Sequence, residues 1–135
     1  MLFPFVSQSP GFDTGIAIAN VSLDPVGLTK PQMGRVKLHF YGNNAPEPQR
    51  SCAVAPGTVF TALVSSIAPG FTGYLIAECD FYPARGVGLI SRIGGNDPAM
   101  YVAEIFHEDR PKKAFKTDGV ETADHQQVQR IISKL

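Results

Sequence analysis

The fold is decided by one stretch of the chain, Gly34-Arg35-Val36-Lys37-Leu38-His39-Phe40-Tyr41. Its apolar residues Val36, Leu38 and Phe40 occupy every second position, with polar or charged groups between them. Successive side chains of a β-strand point to opposite faces, so a period of two separates an apolar face from a polar one. The stretch therefore predicts a strand that lays one face on a core.

Further strands are predicted on both sides of this stretch, because short apolar runs recur between turn residues. Asp13 to Asn20 is apolar or small on both faces, which suits a strand with little solvent exposure. The other predicted strands cover residues 52–54, 58–64, 73–81, 87–91 and 100–107. Pro46 and Pro48 are expected to keep the segment after the central strand out of regular pairing. No linker can hold a crossover helix, so the sequence predicts an all-β fold, an antiparallel β-sandwich or barrel of about seven or eight short strands.

The composition changes after the last predicted strand, and the change divides the chain into three parts. Residues 1–109 form the predicted sandwich domain, 110–123 a polar linker or arm, and 124–135 a C-terminal amphipathic helix that begins with a capping box at Asp124 and Gln127. One apolar stripe follows the helical period: Val128, Ile131, Ile132 and Leu135. A helix of about 12 residues is marginal alone in water. We therefore expect its stripe to dock, either on its own sandwich or on a neighbouring subunit.

Charge and hydropathy exclude several classes of partner. The 135 residues include 12 Lys and Arg against 12 Asp and Glu, so no long-range field favours nucleic acid or an anionic membrane. No run approaches the roughly 18 apolar residues of a membrane helix, and no membrane insertion is expected. The segment Met1 to Val6 lacks the basic start of a signal peptide. Two alternatives stay open, a cytoplasmic protein or an exported one whose leader has been removed.

Several phrases of the sequence, taken in order, carry a resemblance. They are Leu2-Phe3-Pro4-Phe5-Val6, Gly11-Phe12-Asp13-Thr14-Gly15-Ile16-Ala17-Ile18-Ala19-Asn20, Leu38-His39-Phe40-Tyr41-Gly42 and Ile67-Ala68-Pro69-Gly70-Phe71-Thr72-Gly73-Tyr74. Over residues 2–92 the chain resembles an uncharacterised bacterial module, of acidobacterial type, that recurs in secreted or envelope-associated proteins. The resemblance implies an exported β-sandwich of unassigned activity, in the cell envelope or outside the cell. It brings no catalytic residues and does not include the C-terminal linker and helix.

The two cysteines, Cys52 and Cys79, leave two alternatives open. In an exported protein they suggest one disulfide, which requires Cα atoms within about 7 Å of each other. Otherwise both pack as free thiols in the core. Neither belongs to a Cys-x-x-Cys motif, so no redox site or structural zinc site is predicted. The module that the chain resembles tends to have two cysteines; Cys79 matches one, whereas Val36 stands at the position of the other.

The sequence contains no motif for catalysis, a metal or a cofactor. Gly-x-Ser-x-Gly, Gly-x-Gly-x-x-Gly and P-loop patterns are absent from it, and we predict a protein that is not an enzyme and binds no cofactor. His39, Glu78 and Asp80 would form a metal site or an acid/base pair if their strands were neighbours, although a solvated sheet face also explains them. Four tyrosines are candidates for stacking on a sugar ring: Tyr41, Tyr74, Tyr82 and Tyr101.

Three functions of different classes follow, in this order. The first is a structural or assembly module that docks on a partner protein or on copies of itself, as a homo-oligomer. The second is a sandwich that binds a carbohydrate or another small ligand, and the third is an enzyme. A sheet face paved with Ile and Val would favour assembly, whereas a concave face with two or more exposed tyrosines would favour glycan binding. An enzyme would need a pocket where His39 or His107 meets a carboxylate at hydrogen-bond distance.

Overall fold

The computed structural model describes residues 1–95 and 97–105, and within them eight strands form two four-stranded antiparallel sheets. The strands are β1 (Leu2–Ser7), β2 (Phe12–Asn20), β3 (Val36–Asn43), β4 (Gln49–Arg50), β5 (Val59–Leu63), β6 (Thr72–Cys79), β7 (Ala84–Arg92) and β8 (Ala99–Val102), with one short helix, α1 (Val64–Ile67). The strand order is β1-β6-β3-β4 in the first sheet and β5-β2-β7-β8 in the second. The predicted antiparallel all-β sandwich is confirmed.

The chain divides into two compact units, Met1–Glu104 and Ile105–Leu135. The first unit is the sandwich. Apart from Ile105, the second unit lies outside the described residues, and so do the predicted domain boundary at residue 109, the linker over 110–123 and the helix over 124–135. The docking stripe assigned to that helix, Val128, Ile131, Ile132 and Leu135, therefore stays a prediction.

The core lies between the two sheets and follows the alternation read from the sequence. In β3 the inward residues Val36, Leu38 and Phe40 are buried, as are Ile16 and Ile18 in β2. The largest core side chains include Phe3 and Phe71, both fully buried, and Phe71 meets Phe40 edge to face with ring centroids 5.2 Å apart. Burying a side chain of this size contributes about 1.5–3 kcal/mol, so the aromatic cluster is a main source of stability.

Four local features differ from the sequence prediction. Leu2–Ser7 forms a strand that was not predicted, because Pro4 and an irregular register between Phe3 and Val6 break its alternation. Gln49–Arg50 pairs with β3 despite the two preceding prolines, which shorten this strand to two residues without abolishing it. The strand expected over 52–54 is reduced to one bridge between Gly34 and Val54. Helix α1 has four residues, too few to show a helical period.

The last predicted strand, over 100–107, also changes in the structure. Its described part forms β8 beside β7 as far as Val102, and Ala103 N adds one more bond, to the Gly86 carbonyl at 2.8 Å. The chain then reaches the other sheet, where Glu104 exchanges two backbone hydrogen bonds with Leu2, of 2.7 and 2.9 Å. Glu104 therefore covers the outer edge of β1. On the opposite side of the sandwich, β4 and β5 lie at the edges of their sheets, and Gln49 Nε2 donates to the Ile67 carbonyl at 2.6 Å.

Candidate docking surface

The outer side of the β5-β2-β7-β8 sheet is apolar and open to solvent. The register aligns two rows of side chains across its four strands, first Leu63, Gly15, Leu89 and Met100, then Thr61, Ala17, Val87 and Val102. Met100 and Val102 are 69% and 72% exposed, and Leu63 is 53% exposed. We call these aliphatic residues the outer apolar face: Val59, Leu63, Val87, Leu89, Met100 and Val102. An antiparallel sheet with a solvated side normally carries polar residues there, so this face departs from the usual pattern.

Small residues in β2 shape this face. Gly15, Ala17 and Ala19 lie between the larger side chains of β5 and β7, because their register partners on those strands include Leu63 and Leu89. The prediction that β2 is apolar or small on both faces is confirmed, and its outward residues are half-buried by these neighbours. The surface of the sheet is therefore shallow along β2 and raised along β5 and β7, where the side chains are larger.

Charged groups flank the outer apolar face. Asp13 lies at one end of β2, where its carboxylate accepts hydrogen bonds from Ser65 N at 3.0 Å and Ser65 Oγ at 2.6 Å. Arg85 lies near the start of β7, opposite Ala19 at the other end of β2. Its guanidinium donates to the Ala84 carbonyl at 2.9 Å. Both groups already have partners within the protein. The centre of the face is left to aliphatic side chains.

A cavity of about 760 Å³ runs along β5, between the outer apolar face and the side of the sandwich where β4 and β5 are the edge strands. Leu63, Leu89 and Met100 line it from the outer face, Leu38 lines it from the other sheet, and Phe60 and Ile67 line it from β5 and α1. Among its described lining residues Arg50 carries the only charge. Strand β5 therefore has apolar, solvent-accessible space along its free side.

The first sheet has a polar outer side, where the structure brings two of the predicted site residues together. His39 on β3 and Glu78 on β6 are in hydrogen-bond contact between Nε2 and Oε1, because these strands are neighbours. Asp80 and Glu78 both line a small polar cavity of about 140 Å³, together with Arg35, Lys37 and Arg50. Glu78 is 65% exposed on an open face. No group of three or more metal-ligating side chains occurs in the described part of the chain.

The four candidate tyrosines fall into three different environments. Tyr41 and Tyr74 are register partners on the outer side of the first sheet and stack on each other, with centroids 5.1 Å apart and planes 15° from parallel. Tyr82 is exposed by itself, just before Pro83. Tyr101 packs against the core and donates its hydroxyl to the Phe5 carbonyl at 2.6 Å; burial raises its pKa to about 12. Tyr101 is therefore partly buried, because β8 turns this side chain toward the core.

Both cysteines are free thiols in the structure. Cys79 faces the core from β6, and burial raises its pKa to about 11. Cys52 is exposed. Strand β3 separates them, since Val36 pairs with Cys79 on one side and accepts a bond from Ser51 N on the other. Two strand spacings amount to roughly 9–10 Å, more than the approximately 7 Å that a disulfide spans. The alternative of two free thiols therefore describes the structure, with Cys52 at the surface rather than in the core.

A second group of exposed aliphatic residues lies in the loop after β2. Leu23, Val26 and Leu28 are 58%, 72% and 83% exposed. The loop is ordered by Asp24, whose carboxylate accepts hydrogen bonds from the backbone N–H groups of Val26 and Leu28 and from both the N–H and the hydroxyl of Thr29. These hydrogen bonds, with Thr29 the largest contributor, hold the pKa of Asp24 well below its usual range. The backbone of the loop is therefore held in one conformation although its aliphatic side chains are exposed to solvent.

Comparison with protein-family models, curated proteins and solved structures finds no match. Within the described residues, no helix has both the length and the apolar character needed to cross a membrane.

Sequence reasoning did not find the outer apolar face. Its residues come from β5, β7 and β8, and β6 lies between β5 and β7 in the sequence. Each strand offered a partial signal, such as Val59 and Leu63 alternating with Phe60. Only the register between strands places these residues in common rows.

Proposed function

We propose that this chain is a non-catalytic assembly module that docks on protein, in the first place on copies of itself, through the outer apolar face. The observation that carries the proposal is that aliphatic side chains are exposed on β5, β7 and β8, from Val59 on β5 to Val102 on β8. Contiguous apolar surface of this kind marks interaction sites in soluble proteins. Each such side chain removed from water contributes about 1 kcal/mol or more.

Two further observations support self-association. The net charge of the chain is zero, so copies do not repel one another. The charged groups nearest the face, Asp13 and Arg85, are hydrogen-bonded within the protein and stand outside its aliphatic centre. Two copies can therefore meet on this face without burying an unpaired charge, which would cost several kcal/mol.

The predicted helix over 124–135 is proposed as a second docking element. Its support is the apolar stripe of Val128, Ile131, Ile132 and Leu135, which lies outside the described residues. The compartment we propose is the cell envelope or the outside of the cell, and its support is the resemblance to the bacterial module. No part of the assembly proposal depends on the compartment.

Glycan binding, the alternative function, has weaker support. It would use exposed tyrosine faces, and Tyr41 and Tyr74 are the two that lie side by side. Each ring turns one face to the other, which leaves less of both for a sugar. His39 and Glu78, hydrogen-bonded beside them, lie on an exposed sheet face where Glu78 borders only a small cavity of about 140 Å³, which gives an enzyme weak support.

The proposal is tested by the mass of the full chain in solution. Sedimentation velocity from about 1 µM to about 1 mM should show species heavier than the 14.5 kDa monomer at the upper end. The double variant Leu89→Lys and Met100→Lys puts two charges on the face and should shift the mass at the upper concentrations toward that of the monomer. Val26→Lys with Leu28→Lys is the matched control, since it replaces two exposed aliphatic residues in the loop after β2. A wild-type chain that stays monomeric throughout would contradict the proposal.

A further inference from the structure

Strand β5 has a free edge with regularly spaced backbone groups. Asn20 N donates to the Thr58 carbonyl at 2.9 Å, which fixes the phase of the ladder between β2 and β5. Since hydrogen-bonded positions alternate along an antiparallel strand, Phe60 and Ala62 face β2. The N–H and C=O groups of Val59, Thr61 and Leu63 then point away from the sheet. Among the described residues no backbone partner occurs for the groups of Val59 and Thr61 or for the Leu63 N–H, whereas the Leu63 carbonyl, at the N-cap of α1, accepts the first bond of that helix.

The other sheet edges are protected, each in a different way. Glu104 covers β1 through its two bonds to Leu2. Strand β4 has two residues and follows Pro46 and Pro48, and β8 has four residues and follows Pro98. Short edges and prolines of this kind prevent pairing with other chains. These devices are missing from β5.

The sequence around β5 is free of charge over an unusual length. Residues 51–77 contain no Asp, Glu, Lys, Arg or His. A charged side chain, lysine above all, is the usual means of keeping an exposed edge from pairing. Strand β5 itself has five residues, long enough to offer three outward positions. Its composition is that of a strand that pairs.

We propose that two copies of this chain join by antiparallel pairing of their β5 strands about a two-fold axis at Thr61. This inference rests on the proposed function, since it names a second copy as the partner and β5 as the contact. In this register Val59 lies opposite Leu63 of the second copy and its carbonyl accepts a bond from that Leu63 N–H, while the central Thr61 pair exchanges two backbone bonds. Thr61 lies opposite Thr61 of the second copy, a cross-strand pair that stabilises sheets.

The inward side chains match in the same register. Phe60 lies opposite Ala62 of the second copy, so each large ring meets a small residue on both sides of the axis. The cavity along β5 provides room there, because Phe60 and Ala62 are both among its lining residues. A contact in which one patch meets itself is what two-fold symmetry requires. The strand is therefore self-complementary in backbone, outward side chains and inward side chains.

Pairing of β5 doubles the assembly surface. The two β5-β2-β7-β8 sheets become one continuous sheet, and Leu63 and Val59 of the two copies join their outer apolar faces into one. The strand contact alone is smaller than a standard stable interface. We therefore expect a dissociation constant on the order of 100 µM for this step.

Amide hydrogen exchange followed by NMR on the full chain tests the pairing. Raising the concentration from about 50 µM to about 1 mM should slow exchange at Thr61 and Leu63 roughly threefold, because the monomer fraction falls by that factor for the expected dissociation constant. Met100 and Val102, on the free edge of β8 in the same sheet, should not change. Thr61→Lys should abolish the slowing, whereas Ala99→Lys, which adds the same charge to β8, should retain it. Circular dichroism of both variants checks that they fold.

The outcomes separate this inference from the proposed function. Slower exchange at the two β5 amides that Thr61→Lys abolishes supports the pairing. A heavier species that dissociates with Leu89→Lys and Met100→Lys, but leaves the β5 amides at their dilute exchange rates, overturns the pairing and retains the assembly module. A chain that is monomeric at the highest concentration overturns both.

Discussion

Removal of the Asn20 side chain is expected to cost a large part of the stability of the sandwich. Asn20 ends β2 and is 1% exposed. Its Nδ2 donates to the carbonyls of Gln32, at 2.7 Å, and Val54, at 2.9 Å. Its Oδ1 accepts from Ser22 N at 3.2 Å and Ser22 Oγ at 2.7 Å. One buried amide thus joins both ends of the loop after β2 to the segment that precedes β5.

The magnitude follows from these bonds and from the partners that remain. In Asn20→Ala neither carbonyl loses every donor, because Gln32 O still accepts from Ser22 Oγ at 3.2 Å and Val54 O from Gly34 N at 3.3 Å. The two carbonyls and the Ser22 hydroxyl then cost the net value of each lost bond, about 1 kcal/mol. The buried Ser22 N–H loses the Asn20 acceptor and adds the cost of an orphaned group, about 1–3 kcal/mol. We therefore expect a loss of about 4–6 kcal/mol, out of a total of about 5–15 kcal/mol for a typical domain.

Urea unfolding followed by circular dichroism measures this loss. Asn43→Ala is the matched control, since Asn43 is an exposed asparagine near the end of β3 and should change the free energy of unfolding by less than about 0.5 kcal/mol. If Asn20→Ala costs less than about 1 kcal/mol, the network does not stabilise the fold as its geometry suggests.

The variant Asn20→Asp adds a pH dependence to the same test. A carboxylate there would face the carbonyl oxygens of Gln32 and Val54, so burial should raise its pKa above the unfolded value of about 3.9. The folded state then binds a proton more tightly than the unfolded state. Stability is therefore greatest below the unfolded pKa and falls as pH rises from there to the folded pKa. Equal stability of this variant at pH 4 and pH 7, relative to wild type, would refute the reasoning.

Two further predictions concern single residues. Cys52 should react with a thiol reagent at pH 8 much faster than Cys79, whose pKa is raised to about 11 by burial, so the folded protein should show one fast and one slow phase. Unfolded, unreduced protein should titrate both thiols. Finding no free thiol after unfolding would mean that the two cysteines form a disulfide. Gly73→Ala should unfold the chain or cost several kcal/mol, because a Cβ there would lie 2.0 Å from the Tyr41 carbonyl oxygen. Gly94→Ala, where nothing lies within 4 Å but φ is +82°, should cost about 1 kcal/mol; equal losses for the two variants would contradict the close approach of β3 and β6.

Much of the fold was predictable because the alternation of apolar and polar residues that indicates a strand is visible within a short stretch of sequence. The alternation around Val36 and Phe40 predicted which residues are buried, and the inward position of Cys79 followed from the same period. Strand β1 escaped because Pro4 interrupts its pattern, and α1 because four residues show no period. The inward direction of Tyr101 could not be read from the sequence, because a short edge strand can present either face outward and only its pairing with Gly88 on β7 decides which.

The candidate site was less predictable, since it depends on strands that are distant in the sequence. His39 and Glu78 were candidates only if their strands were neighbours, and the pairing of β3 with β6 made them so. The same order of strands keeps Cys52 and Cys79 apart, with β3 between them. Neither result follows from spacing, because strand order is set by how two sheets bury their apolar sides together.

The sequence by itself determined that this is an antiparallel all-β chain, and which side of most strands meets the core, because the period of two is a property of each strand alone. The tertiary structure decided what the outward sides do. It aligned Leu63, Leu89 and Met100 in one row of the second sheet and left the edge of β5 uncovered by any described residue. Register and strand order are collective results of packing, and so the surface that supports an assembly role exists only once the sheets have formed.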